Sequence, residues 1–588
     1  MDRRGVIVTD GNERSTLAVT RSLGRQGIPV YVGAETTSSL AGVSRFSANS
    51  FTYPSPWTDP VGYLASVLAA ASRWNVAAVF PITDIAVEVI GEQQSNPEHS
   101  FVLPMPTLDQ YHQISDKYRL TAWAQEQGIP TPRTLFVPDG RLEGLIEQIN
   151  EWPVVVKPGA SLLKMDGLWR KSAVQFARDA DDLRRMYHEA WFLQHPSMIQ
   201  EVVAGNGEGV FGIFEEGHPK SLFAHRRLRE RPPSGGVSVL REAISLPEPM
   251  TQYAMRILRH ASWNGAAMVE FKVDSRSGVP YLMEVNGRFW GSLQLAIDAG
   301  VDFPFQLYCK ATGEIAPSVE GYQVGTRSQW WLGEVDHLLA RLREPRKLRL
   351  QSNSSSTWKV VLDLVNILDS QVKNEVFRSS DLAPGFLELQ RYLLGTVRAV
   401  RRKLGGLLQR WIKKGWIAGA DLRLRTGLHR RALTDRFPRD AKEILVLCKG
   451  NICRSPFADR YLIRASLQRG LDLKVSSAGL DAENGQTAYP LAISVSKSFG
   501  VDLNHHRTRA LTKELVENAD VVLVMDPAQR QQLVGRFPKL RDKTYLLGHF
   551  SREHPATEIA DPYGGSVSEF AQCYDLITSA CDGLLDHL

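Results

Sequence analysis

The segment ILVLCKGNICRSP, residues 444–456, combines an apolar strand, a tight loop and the start of a helix. The strand ends at Cys448, Gly450 lies in the loop, and Pro456 suits the first turn of a helix. Five residues separate Cys448 from Arg454. This spacing predicts a phosphate cradle, because loop N–H groups and a helix amino terminus bind a dianion while an arginine fork holds two of its oxygens. The same positive field favours the thiolate, so Cys448 is the predicted nucleophile.

Transfer of a phosphoryl group to a cysteine also requires an acid that protonates the leaving oxygen. Asp561, in IADPYGGS, is the candidate. With C-x-G-N-x-C-R-S-P near its start and D-P-Y near its end, the segment 441–588 resembles a low-molecular-weight protein-tyrosine phosphatase. VSSAGL, NHHRTRALT and VVLVMD match further landmarks of that family. The resemblance implies that Cys448 is the nucleophile, that Arg454 binds the phosphate and that Asp561 is the general acid. It also implies that Asn451 holds the loop and that the Ser455 hydroxyl stabilises the thiolate.

Substrate preference and redox chemistry depend on the remaining cysteines and on one departure from the mammalian pattern. The resemblance implies a reversible protective disulfide between Cys453 and Cys448. Where mammalian members have an aromatic residue after SSAGL, this chain has Glu483 and Asn484, as in the bacterial subgroup associated with exopolysaccharide and capsule export. Arsenate reductases share the cradle but need resolving cysteines in a mobile segment, whereas Cys573 and Cys581 fall in a predicted final helix. A phosphotyrosyl protein, such as a tyrosine kinase of polysaccharide export, is the expected partner, and a small phosphorylated metabolite is the alternative substrate.

A second constellation is AAMVEFKVDSRSGVPYLMEVNGRFWGS, residues 266–292. Two strands flank a turn, and the strand period places Glu270 on one face of the first strand and Glu284, Asn286 and Arg288 on one face of the second. A turn over residues 275–279 would set Glu270 opposite Glu284. Facing carboxylates repel unless a cation lies between them, and two Glu with one Asn suit Mg²⁺ held together with nucleotide phosphates.

Together with upstream residues, this motif resembles an ATP-grasp enzyme over about residues 1–395. The resemblance implies ATP with Mg²⁺ or Mn²⁺ as cofactors. It assigns phosphate contacts to Lys117 and Lys157, a hinge that reads adenine to Glu201–Val203, and the ribose to Glu208. It assigns metal binding to Glu270, Glu284 and Asn286, and stabilisation of an acyl phosphate to Arg288.

ATP-grasp chemistry forms an acyl phosphate from a carboxylate, which a nucleophile then attacks. The chain has no biotin-attachment motif and no tandem repeat, so a carboxylate–amine ligase with small carboxylate and amine substrates is favoured over biotin carboxylase and carbamoyl-phosphate synthase. The Arg-rich and Gly-rich segment 225–238 is interpreted as a substrate loop, with Arg227 or Arg229 near a carboxylate or phosphate, or else as a solvated basic loop. A nucleotide sensor that regulates the phosphatase is the alternative function.

The whole chain of 588 residues, with 43% hydrophobic and 23% charged residues, predicts several globular domains. We expect an α/β multidomain protein: an open α/β sheet and an α+β ATP-grasp fold, then a doubly wound parallel α/β domain. The expected ranges are 1–110 for the first α/β domain, 111–310 for the ATP-grasp domain, 311–395 for a helical part, 396–440 for a basic helical linker and 441–588 for the phosphatase.

The net charge of +6 is concentrated in residues 391–440, which hold 14 Lys and Arg against 3 Asp and Glu. Within this segment, residues 398–416 have apolar side chains at helical spacing among cations, which predicts a helix. This helix either connects two domains or makes a peripheral contact with an anionic membrane surface. In the second case it would recruit the chain to an export complex. Nucleic acid is not an expected partner. Scattered cysteines and the lack of an apolar run of about 20 residues favour a cytoplasmic protein.

Overall fold

The computed structural model describes residues 3–96, 99–165, 167–232, 236–319, 321–343, 372–397, 437–551 and 553–588. The chain divides into two compact units, residues 1–396 and 397–588. The basic segment 398–416 lies outside the described residues, so its predicted helix and its predicted membrane contact stay predictions. Among the residues described, no helix is long and apolar enough to cross a membrane.

The amino-terminal unit begins with a parallel sheet in the order β3-β2-β1-β4. Its strands are β1 Val6–Val8, β2 Val30–Ala34, β3 Asn49–Thr52 and β4 Ala78–Phe80, and its helices are Arg14–Arg25, Pro60–Trp74 and Asp84–Gly91. Strands β1 and β4 are almost fully buried, as expected of a parallel sheet covered on both faces. The strand order reverses beside β1, and ligands bind at the carboxyl edge of open sheets at such a point.

A second, antiparallel sheet has the order β5-β10-β6-β9. It is formed by β5 Thr134–Val137, β6 Val154–Pro158, β9 Gln175–Ala177 and β10 Ser197–Glu201, and a separate hairpin by β7 Leu162–Met165 and β8 Leu168–Lys171. The accompanying helices are Leu108–Ser115, Lys117–Glu126 and Ala180–Glu189.

The third sheet of this unit has seven strands in the order β15-β14-β11-β12-β13-β16-β17. The strands are β11 Gly205–Glu215, β12 His218–Arg231, β13 Val237–Ile244, β14 Gly265–Asp274, β15 Pro280–Asn286, β16 Arg327–Gln329 and β17 Val372–Asn374. The helices of this region are Glu248–His260, Leu293–Ala299, Phe303–Thr312, Trp331–Arg343 and 383–397. The segment 311–395, predicted as helical, contributes two short strands as well, because the backbone of β13 offers an edge on which β16 pairs.

The carboxyl-terminal unit is a four-stranded parallel sheet in the order β19-β18-β20-β21. Its strands are β18 Glu443–Cys448, β19 Lys474–Gly479, β20 Val521–Val524 and β21 Thr544–Leu546, and its helices are Arg454–Gln468, Pro490–Ser496, Lys513–Asn518, Pro527–Arg536 and Val567–Leu585. The predicted multidomain α/β class, with a wound parallel sheet at the carboxyl end, is confirmed.

Candidate active sites

Strand β18 delivers Cys448 to the carboxyl edge of its sheet, and the helix Arg454–Gln468 begins six residues later. In the neighbouring strand, Gly479 lies directly beside Cys448. A side chain at Gly479 would come within 2.8 Å of the Lys449 carbonyl and 3.0 Å of the Asn451 nitrogen. Glycine is therefore required for the loop to close against β19.

Hydrogen bonds point from the loop to the buried thiol. Ser455 Oγ donates to Cys448 Sγ at 2.9 Å, and the Asn451 backbone N–H donates at 3.2 Å. Asn451 has a left-handed φ of 54°, its Nδ2 donates to Ser455 Oγ at 3.0 Å, and its Oδ1 accepts from the Arg509 N–H at 2.9 Å. The side-chain amide of Asn451 thus fixes the Ser455 hydroxyl and the Asn451 backbone N–H, which are the two donors to the sulfur. Hydrogen-bond donors of this kind stabilise a thiolate.

Arg454 and Asp561 meet at the mouth of this loop. Arg454 Nη2 lies 2.5 Å from Asp561 Oδ2, and its Nη1 donates to the Ile559 carbonyl at 3.0 Å. The Arg454 side chain is 4% exposed while that of Asp561 is 43% exposed. An exposed carboxylate above a buried guanidinium can reach a leaving group, and a buried fork can hold phosphate oxygens.

Two aromatic residues adjoin the loop and the D-P-Y motif: the Tyr489 N–H donates to the Ile452 carbonyl at 3.0 Å, and Tyr563 lies two positions after Asp561. The rings of Tyr489 and Tyr563 lie 5.0 Å apart, and Tyr563 is 61% exposed. The polar positions instead tie loops together: Asn484 Oδ1 accepts from the Ala510 N–H at 2.7 Å, and the Glu483 carbonyl accepts from Thr508. Tyr563, in the D-P-Y motif, was visible in the sequence, but Tyr489 comes near it only through the fold.

The other cysteines of this unit are buried free thiols. Burial raises the pKa of Cys453 well above its usual range, and that of Cys573 to about 12. Cys573 and Cys581 lie in the final helix, Val567–Leu585, as the sequence predicts. They are thus fixed in a helix rather than carried on a mobile segment; the disulfide between Cys448 and Cys453 stays a prediction.

Residues 443–588 match the family described as low molecular weight phosphotyrosine protein phosphatase. A probable low molecular weight protein-tyrosine-phosphatase, EpsP of Ralstonia nicotianae, is 40% identical over 141 residues, which are 24% of this chain and 92% of the relative. The carboxyl-terminal unit belongs to the low-molecular-weight protein-tyrosine phosphatase family. The phosphatase unit is also 42% identical over 134 residues to Wzb of Escherichia coli K12, covering 23% of this chain and 86% of that protein.

The amino-terminal unit, which precedes the phosphatase unit, contains a cleft of about 1350 Å³. All three sheets of the unit contribute to its lining: Asp84 follows the first sheet, Lys157 lies on the second, and Glu270 and Glu284 lie on the third. A cavity of this size is large enough to enclose a small-molecule ligand.

Glu270 of β14 and Glu284 of β15 are directly opposite each other. The hairpin turn occupies residues 275–279, and an irregularity between Glu270 and Phe271 keeps the two carboxylates in register. The expectation that these two residues face each other is confirmed. Such a pair costs free energy unless cations lie close to both.

Each of these carboxylates has a cation beside it. Arg227 Nη2 donates to Glu270, and Lys117 Nζ lies 3.1 Å from Glu284, whose other oxygen accepts from Asn286 Nδ2 at 3.1 Å. Lys117 lowers the pKa of Glu284 to about 2, whereas burial raises the pKa of Glu270. The cluster is therefore an anionic site with basic side chains around it.

The two predicted phosphate-binding lysines converge on the same place. Lys117 Nζ donates to Ser161 Oγ at 2.7 Å, in the segment that follows β6. Lys157 lies on β6 with its amine 3.7 Å from Met283 Sδ, and burial lowers its pKa to about 8. Both amines thus approach the strand that carries Glu284.

The predicted adenine and ribose contacts divide between two places. Glu201 ends β10, and its carboxylate accepts from the Arg133 N–H at 3.0 Å; Glu201 and Val203 both line the cleft. Glu208 does not line the cleft. It lies opposite Phe271 on β14, and because side chains alternate along a strand it is on the other face of the sheet from Glu270. The side chain of Arg226 lies 3.7 Å from the Glu208 carboxylate.

Arg288 is clamped by a residue that the sequence did not indicate. Its Nε and Nη2 donate to the two carboxylate oxygens of Asp84, each at 2.7 Å. Burial opposes the charge on Asp84, yet the guanidinium lowers the pKa of this carboxyl to about 2. Asp84 also accepts from the Tyr111 hydroxyl at 2.7 Å. The residue that orients Arg288 therefore follows the first sheet and lies 204 positions before it in the sequence.

The Arg-rich segment 225–238 is only in part what the sequence predicted. Arg227 lines the cleft between Glu230 and Glu270, while Arg229 Nη1 binds Glu334 at 2.8 Å and is directed to a helix instead. Residues 233–235 lie outside the described residues. Of the two predicted arginines, Arg227 is the one at the cleft.

Residues 205–331 match the family described as ATP-grasp in the biosynthetic pathway with Ter operon. The chain therefore carries an ATP-grasp region ahead of the phosphatase unit. Among solved structures, biotin carboxylase of Campylobacter jejuni covers 55% of this chain and 74% of its own, with 17% identity and a TM-score of 0.44.

The donor chemistry of this region fits Mg²⁺. Glu270, Glu284 and Asn286 offer only oxygen ligands, and Mg²⁺ in nucleotide enzymes takes one or two carboxylates together with phosphate oxygens. Within the part of the chain that the structure describes, no group of three or more His, Cys, Asp or Glu forms a metal site. In nucleotide enzymes, substrate phosphates and water supply the ligands of Mg²⁺ that the protein does not.

Proposed function

We propose that the chain is a bifunctional enzyme: an ATP-dependent carboxylate–amine ligase joined to a protein-tyrosine phosphatase. The observation that supports the ligase is the opposed pair Glu270 and Glu284, which shares one cleft with Lys157 and with the clamped Arg288. The family that residues 205–331 match is described as belonging to a biosynthetic pathway, which favours a ligase over a sensor of nucleotide.

In the proposed ligase reaction, a substrate carboxylate oxygen attacks the γ-phosphorus of ATP, and the bond to the bridging oxygen of ADP breaks. Lys117 and Lys157 hold phosphate oxygens, and Glu201–Val203 hold adenine by their backbone. Arg288 stabilises the acyl phosphate that results, and an amine then displaces phosphate from the acyl carbon. Mg²⁺ bound by Glu270, Glu284 and Asn286, or Mn²⁺ in its place, would neutralise charge on the phosphates.

In the proposed phosphatase reaction, Cys448 Sγ attacks phosphorus while Arg454 holds two of the phosphate oxygens. Asp561 gives its proton to the leaving oxygen, and water then hydrolyses the cysteinyl phosphate. Ser455 and Asn451 hold the sulfur as thiolate through the hydrogen bonds already described. The exposed ring of Tyr563 supports a phosphotyrosyl protein as substrate, and similarity to the bacterial subgroup supports a tyrosine kinase of polysaccharide export.

Release of ADP tests the ligase. The Cys448→Ser protein, which lacks phosphatase activity, is assayed against a panel of amino acids and sugar acids with Glu284→Ala as the control. We expect release that requires one carboxylate and one amine and that disappears in the control. Binding of ATP without release across the panel would contradict the ligase and favour a nucleotide-sensing role.

A comparison of a phosphotyrosyl peptide with sugar phosphates tests the phosphatase substrate. We expect kcat/KM to be about fivefold or more higher for the peptide, since an aromatic contact contributes about 1 kcal/mol. A preference for the sugar phosphate would indicate a small metabolite made by the same pathway.

A further inference from the structure

The cleft continues beyond the Arg288–Asp84 pair to the carboxyl edge of the first sheet, where Asp10 follows β1. One oxygen of Asp10, Oδ2, accepts from the Thr9 hydroxyl at 2.6 Å and from the Thr83 N–H at 3.2 Å. Because Thr83 directly precedes Asp84, the carboxylate of Asp10 adjoins the residue that orients Arg288. Asp10 and the Arg288–Asp84 pair therefore belong to the same end of the cleft.

Four carboxylates that line the cleft have a cation as partner: Asp84, Glu230, Glu270 and Glu284. Four others line it too, namely Asp10, Glu13, Glu35 and Glu201, and none of them forms an ion pair with any residue that the structure describes. Glu13, Glu35 and Glu201 are exposed, while Asp10 is half-buried. Asp10 is thus the sheltered carboxylate of the cleft, and its charge is stabilised by hydrogen bonds but paired with no cation of the described residues.

The backbone holds this carboxylate in place. Asp10 has a left-handed φ of 58°; its N–H donates to the Tyr53 hydroxyl at 2.7 Å, and its carbonyl accepts from Thr16 Oγ at 2.8 Å. Tyr53 in turn donates to the Gly33 carbonyl at 3.1 Å. Burial raises the pKa of Asp10 to about 6, which is suited to proton transfer near neutral pH.

We propose that Asp10 binds the ammonium group of the amine substrate and removes a proton from it beside the acyl phosphate. This inference rests on the proposed ligase function and adds the recognition of the second substrate. It assigns a cationic amine, rather than a neutral nucleophile, to the end of the cleft formed by the first sheet.

The step balances as follows in atoms and protons. The ammonium gives one proton to the Asp10 carboxylate, and the resulting amine attacks the acyl carbon. The C–N bond forms, the bond from the acyl carbon to the phosphate oxygen breaks, and phosphate leaves with the electron pair and the second amine proton. Asp10 then returns its proton to water, and the products are an amide and phosphate.

The test compares a charged with an uncharged nucleophile in Asp10→Asn, made in the Cys448→Ser background. Asparagine keeps the shape and tolerates the left-handed backbone, but it has no negative charge. Hydroxylamine is largely uncharged at neutral pH and traps the acyl phosphate as a hydroxamate, whereas the amine selected by the ADP panel is cationic. We expect the ratio of amide to hydroxamate formation to fall at least tenfold, with a raised KM for the amine. Glu126→Gln, which changes an exposed carboxylate of the same unit outside the cleft, is the matched control and should leave that ratio unchanged.

Two results separate the failure of this inference from the failure of the ligase. Hydroxamate formed by Asp10→Asn, together with amide formation at the wild-type ratio, would overturn the role of Asp10 alone. No hydroxamate from any carboxylate with the Cys448→Ser parent protein would overturn the ligase and this inference with it. Calorimetry with the full chain and Mg·AMP-PNP adds a measurement without turnover: among the amino acids and glucosamine, one amine should bind and lose at least tenfold in affinity in Asp10→Asn. Binding of no amine, or equal binding by both proteins, would also overturn the proposal.

Discussion

Arg288 and Asp84 form a two-point ion pair, with both nitrogen–oxygen distances at 2.7 Å, between the third sheet and the first. The pair fixes the direction of the guanidinium before any substrate binds, because each carboxylate oxygen holds one nitrogen of the fork. An arginine oriented in this way can stabilise a developing acyl phosphate without reorganisation.

We therefore expect Asp84→Asn to reduce kcat for hydroxamate formation by about 10-fold to 100-fold, the equivalent of losing one hydrogen bond to a charged group. The asparagine can accept only one of the two bonds from Arg288. The measurement is the rate of hydroxamate formation with the carboxylate found by the ADP panel, together with KM for ATP. Asp109→Asn changes an exposed aspartate of the same unit and serves as the control. An equal loss in both variants, or a change in KM for ATP alone, would contradict the role of Asp84 in positioning Arg288.

The phosphatase loop could be predicted from the sequence because its chemistry is local. Cys448, Asn451, Arg454 and Ser455 lie within eight positions, and a loop that must surround a phosphate allows little variation in spacing. The pairing of Glu270 with Glu284 was also predictable, since a short turn determines the register of a hairpin.

Contacts between sheets could not be predicted in this way. Asp84 and Arg288 are 204 positions apart, and their meeting depends on how the first sheet packs on the third.

Some local features were not predictable either. Strand β3 is short and largely exposed, so its sequence has no alternation of apolar residues that would indicate a strand. The face on which Glu208 lies depends on the register of β11 with β14, which the hinge motif alone does not determine.

The hydroxyl of Ser455 should be required for a reactive thiolate. In Ser455→Ala, Cys448 Sγ loses its donor at 2.9 Å and keeps the Asn451 N–H. We expect the phosphatase kcat to fall by about 10-fold to 100-fold, because a hydrogen bond to a charged group is worth about 1.5–3 kcal/mol. Alkylation of Cys448 by iodoacetate, measured at constant pH, should slow in parallel. Ser498→Ala removes an exposed hydroxyl of the same unit, and a similar slowing in that protein would argue against a specific role.

Asp561 should matter most when the leaving group is a poor one. Its exposed carboxylate lies 2.5 Å from Arg454, at the mouth of the loop. We expect Asp561→Asn to lower kcat for a phosphotyrosyl peptide by about 10²-fold to 10⁴-fold, as for other general acids. The loss for a phosphate ester with a strongly acidic phenol should be much smaller, because that phenolate leaves without a proton. Asp575→Asn, at an exposed position of the final helix, is the control. Equal losses for both esters would indicate that Asp561 acts only by holding Arg454.

Binding of nucleotide should weaken at alkaline pH because of Lys157. Burial lowers the pKa of this amine to about 8 from 10.5, so the folded chain releases the proton that an unfolded chain would still hold. Below pH 8 the ammonium is available to phosphate oxygens, and above it the affinity should fall by up to about tenfold per pH unit. Calorimetry with Mg·AMP-PNP between about pH 7 and 9.5 measures this decline. Lys157→Arg retains a positive charge throughout that range and should bind with an affinity independent of pH. The same decline in both proteins would show that another group titrates, and constant affinity in the wild type would show that Lys157 does not contact the nucleotide.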